Sequence, residues 1–63
     1  MSATLRQEET RRGTLRLEKY APDNFAVERF IADDPKPAWS PECRRKTLRA
    51  AKSYFNLCLL AWS

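Results

Sequence analysis

The side chains with the widest chemical reach in this 63-residue chain are two cysteines, one pair of adjacent aspartates and two groups of closely spaced cations. Cys43 falls three residues after Ser40, where a helix is expected to begin, and beside Arg44 and Arg45. Helix N-termini and neighbouring cations lower a thiol's pKa and make it a nucleophile or redox centre. The chain holds no histidine, so the base that usually activates such a thiol is missing, and a structural cysteine is the stronger reading. Cys58 lies on an apolar helical stripe and is expected in the core. Asp33 and Asp34, adjacent carboxylates, stand beside prolines with no sign of a pocket. One glycine cannot build a loop that cradles phosphate. The expectation is a protein that is not an enzyme and that needs no cofactor and no metal.

The cations carry more information. Arg44-Arg45-Lys46, with Arg49 and Lys52, put five positive charges near the start of the expected helix. The helix dipole disfavours cations at that end by a few tenths of a kcal/mol, which points to a use such as binding phosphate or carboxylate. A solvated basic face accounts for them equally well. Arg11 and Arg12, with Arg6 and Arg16, would form a second basic strip able to track a nucleic-acid backbone, although Glu8 and Glu18 sit among them. The candidate anion- or nucleic-acid-binding set is therefore Arg11, Arg12, Arg45, Arg49 and Lys52. Net charge is +4 and unevenly spread. Residues 1–20 hold five basic and three acidic side chains, residues 21–41 two and four, and residues 42–63 five and one. A basic excess at one end suits an acidic partner: nucleic acid, an acidic protein face or anionic lipid.

Positioning these groups falls to a few short elements. Thr4-Leu5-Arg6-Gln7-Glu8 and Thr14-Leu15-Arg16-Leu17-Glu18 are near-copies. Folded back so that paired positions sum to 24, Arg6 faces Glu18 and Glu8 faces Arg16, each pair adding about 0.2–1 kcal/mol. Leu5, Leu15 and Leu17 then share the other face. The leftover loop, Arg11-Arg12-Gly13, suits a type I turn closed by a left-handed glycine. Pro22-Asp23-Asn24 repeats that loop design and leads into a third strand, on which Phe25, Val27 and Ile31 join the leucines. Arg29 also falls inward on that strand, and Glu18 would face Glu28. The rival for this segment is a short helix over residues 24–33. Residues 34–39 form a proline-rich internal linker, since Pro35 and Pro37 favour an extended path, with Trp39 packing over the core.

Ser40 suits a helix N-cap, Pro41 the first helical position and Glu42 the positive dipole end. Leu48, Ala51, Phe55, Cys58 and Trp62 then recur at helical spacing, flanked by a stripe of Thr47, Ala50, Tyr54, Leu57 and Ala61. The fold expected is α+β in one domain over residues 1–63: a three-stranded antiparallel β-meander (4–10, 14–20, 25–32) with one long C-terminal helix (41–62) packed on it. The alternative is a β-hairpin plus two helices.

A chain this short buries only about 60% of its unfolded surface, and such scaffolds usually rely on a disulfide, a metal or a partner. With both cysteines on one helix, about 22 Å would separate them, too far for a disulfide. Two unpaired thiols fit a reducing, cytoplasmic setting. The polar N-terminus lacks a signal peptide's apolar core, and Leu57–Trp62 falls short of the ~20 apolar residues that span a bilayer. The remaining staple is another chain, either a different protein or a second copy. Leu59, Leu60 and Trp62 make the last helical turn apolar nearly all round and are the candidate partner-binding residues, with an open sheet edge and the basic helix face as the other features a partner would use. The expected function is that of a small cytoplasmic binding protein: a regulator, inhibitor or accessory subunit, phage-type host modulators included. Nucleic-acid binding is the alternative, and attachment to a membrane surface is not favoured.

Overall fold

A computed structural model describes residues 2–62. Four strands, β1 (Ala3–Glu9), β2 (Thr14–Ala21), β3 (Asn24–Phe30) and β4 (Ser40–Arg45), precede one helix, α1 (Leu48–Trp62). The strands form an antiparallel sheet in the order β1-β2-β3-β4, and α1 lies across β2, β3 and β4. The fold is α+β, with one strand more than the three expected.

The β1–β2 hairpin forms where the repeat predicts it, in a different register. Thr10 N–H donates to the Gly13 carbonyl at 2.7 Å, so Arg11 and Arg12 alone make the tip. The Thr10 hydroxyl accepts from the N–H groups of Arg12 and Gly13, both at 3.2 Å, and donates to the Gly13 carbonyl at 2.7 Å. Gly13 has φ +151°, and a Cβ there would collide with the Phe30 carbonyl oxygen, a backbone only glycine adopts freely. This closure sets Glu9 against Thr14 and so Gln7 against Arg16 and Arg6 against Leu17. A bulge at Leu5 then shifts the register by one more residue and sets Thr4 against Glu18. The Arg6–Glu18 and Glu8–Arg16 pairs are therefore not made. Slipping an antiparallel strand by one residue exchanges its faces, and Arg6 and Glu8 lie on the helix side.

β3 starts at Asn24 and ends at Phe30, short of the expected residue 32, after a two-residue loop of Pro22 and Asp23. Asn24 has negative φ, so it is not the left-handed residue expected. Arg16 faces Glu28 and Glu18 faces Ala26, which removes the like-charge clash of Glu18 against Glu28.

The largest correction is β4. Ser40-Pro41-Glu42 reads as a helix start, yet Ser40–Arg45 is an edge strand, where proline's missing N–H costs nothing on the solvent side. A bulge there lets Cys43 pair with Val27 while Glu42 reaches Arg29 at 2.7 Å. Inward-facing Arg29 thus gains a counter-ion that the local sequence does not reveal. The helix cap is Thr47, whose hydroxyl accepts from Ala50 N–H at 3.2 Å.

The core joins Leu15, Leu17, Phe25 and Val27 to Ala51, Phe55, Cys58 and Trp62, with Ile31, Cys43, Tyr54 and Leu59 at its margin. Burying side chains such as Phe55 and Leu15 contributes roughly 1.5–3 kcal/mol each. Leu5, Leu48 and Leu57, expected on apolar faces, are exposed. Trp39 packs on the sheet face opposite the helix, 5.6 Å from the Phe30 ring.

Candidate functional site: an uncovered edge strand and its groove

Two faces of the sheet differ in what they offer. On the face away from α1, Arg16 Nε donates to Glu28 Oε1 at 2.6 Å and lies 3.6 Å from Glu18 Oε2. Thr4 Oγ1 donates to Glu18 Oε2 at 2.7 Å, and the Tyr20 hydroxyl donates to Glu28 Oε2. Trp39 covers the guanidinium, 3.9 Å from its ring centroid. Both glutamates are buried. Burial opposes Arg16's charge, but the hydrogen bond and charge of Glu28 outweigh it and hold the guanidinium protonated more firmly than usual. The Glu28 hydrogen bond, then burial, raises the Tyr20 pKa above its ordinary value. Every buried side-chain polar atom among the described residues is satisfied. This cluster is closed on itself, and its chemistry is structural.

The helix side is open at β1. All of β1 except Glu8 is exposed, and among the described residues its outer edge carries no neighbouring strand. Between β1 and α1 runs a groove of about 300 Å³ lined by Leu5, Leu17, Leu48 and Phe55, with Arg6, Lys52 and Asn56 at its rim. Arg6 spans it, 5.3 Å from the Phe55 ring centroid and 3.4 Å from Asn56 Oδ1. A second depression continues toward the hairpin tip, lined by Glu8, Glu9, Thr10, Arg11 and Leu59. Leu48, Lys52, Phe55 and Leu59 lie at helical spacing along the α1 side of this channel.

The expected partner residues separate. Leu59 is half-buried in the channel wall, Leu60 is exposed at 76%, and Trp62 is in the core at 8% with Arg12 5.0 Å from its ring centroid. The anion-binding set separates too. Arg11 and Arg12 sit at the β1–β2 turn near the end of α1, whereas Arg45 and Arg49 flank its start, at the other end of the sheet, with Lys52 one turn along. Arg45 lies 5.4 Å from the Tyr54 ring centroid and Arg44 5.9 Å from that of Tyr20. Six cation–aromatic contacts occur among the described residues, against roughly one per 70–80 residues in general. Much of the basic excess therefore covers the molecule's own rings. Arg44, Arg45 and Lys46 still line a shallow depression with Asp23 and Asn24.

Cys43 lies in β4 at the core margin, not in a helical turn, and burial raises its pKa, as it does for Cys58. Both thiols are free. Asp33 and Asp34 are exposed in the β3–β4 loop. No helix among the described residues is long and apolar enough to cross a membrane.

Sequence reasoning missed Leu5 and Leu48 as groove residues because both were assigned to the core. The available signal was Leu5 itself, which joins Arg6 on one face only if the strand bulges. No family model, curated protein or solved structure matches the chain.

Proposed function

We propose that this is a small, non-catalytic binding protein, a regulator, inhibitor or accessory subunit, that acts by protein–protein contact through β1 and its groove. The observation that carries the reading is the uncovered edge: a seven-residue strand with an unpaired side, flanked by exposed Leu5 and Leu48. Natural proteins usually blunt such edges with proline, short length or a covering element, as β4 does with Pro41. An open edge accepts an incoming strand through main-chain hydrogen bonds, while an adjacent apolar groove selects its side chains. Leu59 extends the channel, and exposed Leu57 and Leu60 lie on the outer side of α1, where a larger partner would reach them.

Affinity capture from native lysate, with and without nuclease, tests the reading against Leu5→Lys and Leu48→Lys. Both positions are already exposed, so the variants should keep the fold, which circular dichroism checks. Capture by the wild type that survives nuclease and is lost in both variants is expected. Capture that ignores both substitutions would overturn the choice of surface. A second reading, binding of a nucleic-acid backbone, is favoured by one observation, the depression lined by Arg44, Arg45 and Lys46 beside the start of α1. Phosphate-based binding weakens steeply with salt, and the pair Arg45→Glu and Arg49→Glu would abolish it. Absence of binding to single or double strands at low salt would remove that reading.

A further inference from the structure

We infer that the chain added at the β1 edge is a second copy of this protein, its β1 running antiparallel to the first about a two-fold axis through Gln7. The inference rests on the docking surface proposed above and names its occupant. Arg6 and Glu8 occupy the helix-bearing face of β1, opposite Leu17 and Leu15, with Arg6 Nε 3.3 Å from Glu8 Oε1. Gln7 lies on the other face, opposite Arg16. With Gln7 set against Gln7 of the second copy, Arg6 of each chain comes directly opposite Glu8 of the other, on the same face. Each of these charges then has an opposite charge along its own strand and another across the junction. Opposite charges facing across strands stabilise a pair, and like charges oppose it.

Neighbouring registers lose this match. Sliding by two residues one way sets Arg6 against Arg6, and the other way Glu8 against Glu8. A slip of one residue in either direction turns one copy over and takes Glu8 away from Arg6. The bulge at Leu5 lies outside the Arg6–Glu8 stretch that carries the charge match. The helices do not obstruct the junction, because α1 lies over β2, β3 and β4 and both copies keep α1 on one side of the joined sheet. The opposite edge is closed to the same pairing by Pro41 and the β4 bulge. A second copy also supplies the staple that a domain of this size lacks.

Sedimentation equilibrium on the full chain, with circular dichroism as a check of fold, tests the inference. The wild type should move from 7.4 kDa toward twice that mass as concentration rises, and back as salt rises. Arg6→Glu alone and Glu8→Arg alone should each weaken self-association by about tenfold or more, since both cross-strand pairs become like-charged. Mixed in equal amounts, the two variants should pair with each other, because every facing pair in the mixed dimer joins opposite charges. The double variant Arg6→Glu/Glu8→Arg should associate as the wild type does. Gln7→Cys should cross-link to a covalent dimer under mild oxidation, whereas the wild type, whose thiols lie in or beside the core, should not. A wild type that stays monomeric at millimolar concentration, with Gln7→Cys uncross-linked, would overturn the second-copy inference and leave capture of another protein at the groove standing. Single variants that still dimerise, or a mixture that does not pair, would overturn it as well.

Discussion

Arg16→Met should be the most damaging change available on the sheet face away from the helix. Its Nε lies 2.6 Å from Glu28 Oε1 and 3.6 Å from Glu18 Oε2, and the two glutamates are 6% and 4% exposed. At an effective dielectric constant near 20, a charge contact of that shorter length is worth about 6 kcal/mol before desolvation is counted. Desolvation cancels much of it, and removing one partner of a buried pair typically costs about 3–5 kcal/mol. The Arg16 side chain is 23% exposed, which places the loss at the lower end, about 3 kcal/mol. At 0.05–0.15 kcal/mol per residue, a chain of this length holds about 3–9 kcal/mol in total. Urea unfolding followed by circular dichroism at pH 7 should therefore show the midpoint falling by about 2–3 M, for a slope near 1 kcal/mol per M. Adding Glu28→Gln to Arg16→Met removes one of the stranded carboxylates and should recover part of the loss. A shift of about 0.5 kcal/mol or less, as for an ordinary surface substitution, would show that the cluster is screened by solvent. A double variant no more stable than Arg16→Met would refute the pairing.

The Tyr20 phenol should ionise above its ordinary value of 10.0, because it donates to Glu28 and is partly buried. The stability this adds is present in full below pH 10 and is lost as pH rises through the raised value, and Glu28→Gln should bring the Tyr20 absorbance step back down. Gly13→Val should lower the unfolding free energy by at least about 2 kcal/mol in urea titrations, since it adds a positive-φ penalty to a collision with the Phe30 carbonyl; a near-neutral effect would mean that the turn relaxes freely. Cys43 and Cys58 should react slowly with a thiol reagent at neutral pH in the folded protein and quickly in urea, because burial raises both pKa values. Fast modification of Cys43 in the native state would show an activated thiol there.

Where neighbours in sequence are neighbours in space, the sequence was enough. Leu15 and Leu17 alternate with charged residues and face the core, and Ala51, Phe55 and Cys58 follow the helical period onto the same core. The hairpin tip was legible because Gly13 is the only glycine. Its register was not, because the choice depends on the Thr10 hydroxyl clamping the turn. Pairing Arg6 with Glu18 was locally sound, but it left out β3, which brings Glu28 to Arg16 and leaves Thr4 to serve Glu18. Ser40-Pro41-Glu42 satisfies every local rule for a helix start. It becomes a strand because Cys43 packs beside Val27 and Glu42 meets Arg29, contacts that no window of adjacent residues contains.

The unexpected β4 and the uncovered β1 follow from the same geometry. A helix is about 10 Å across, and strands lie about 4.8 Å apart, so a single helix covers two or three strands. Over a three-stranded meander the helix would centre on β2 and leave the two edges alike, each open to a partner that also meets Leu59, Leu60 and Trp62. With β4 in the sheet, the cover shifts to β2, β3 and β4, Trp62 is drawn into the core, and β1 is left outside. The strand left outside is also the one whose charges complement themselves about Gln7. Covering β4 and exposing β1 are therefore coupled, and a variant that detached β4 should let α1 move toward β1 and close the groove. Arg29→Leu with Glu42→Leu keeps β4 attached by replacing the ion pair with apolar contact, whereas Cys43→Asp places a charge against Val27 and should detach it. Hydrogen exchange at the β1 amides reads the difference, with protection rising in Cys43→Asp as the helix covers the strand. Unchanged β1 exchange in a variant that has lost β4 but kept its helix would show that the position of α1 does not depend on β4.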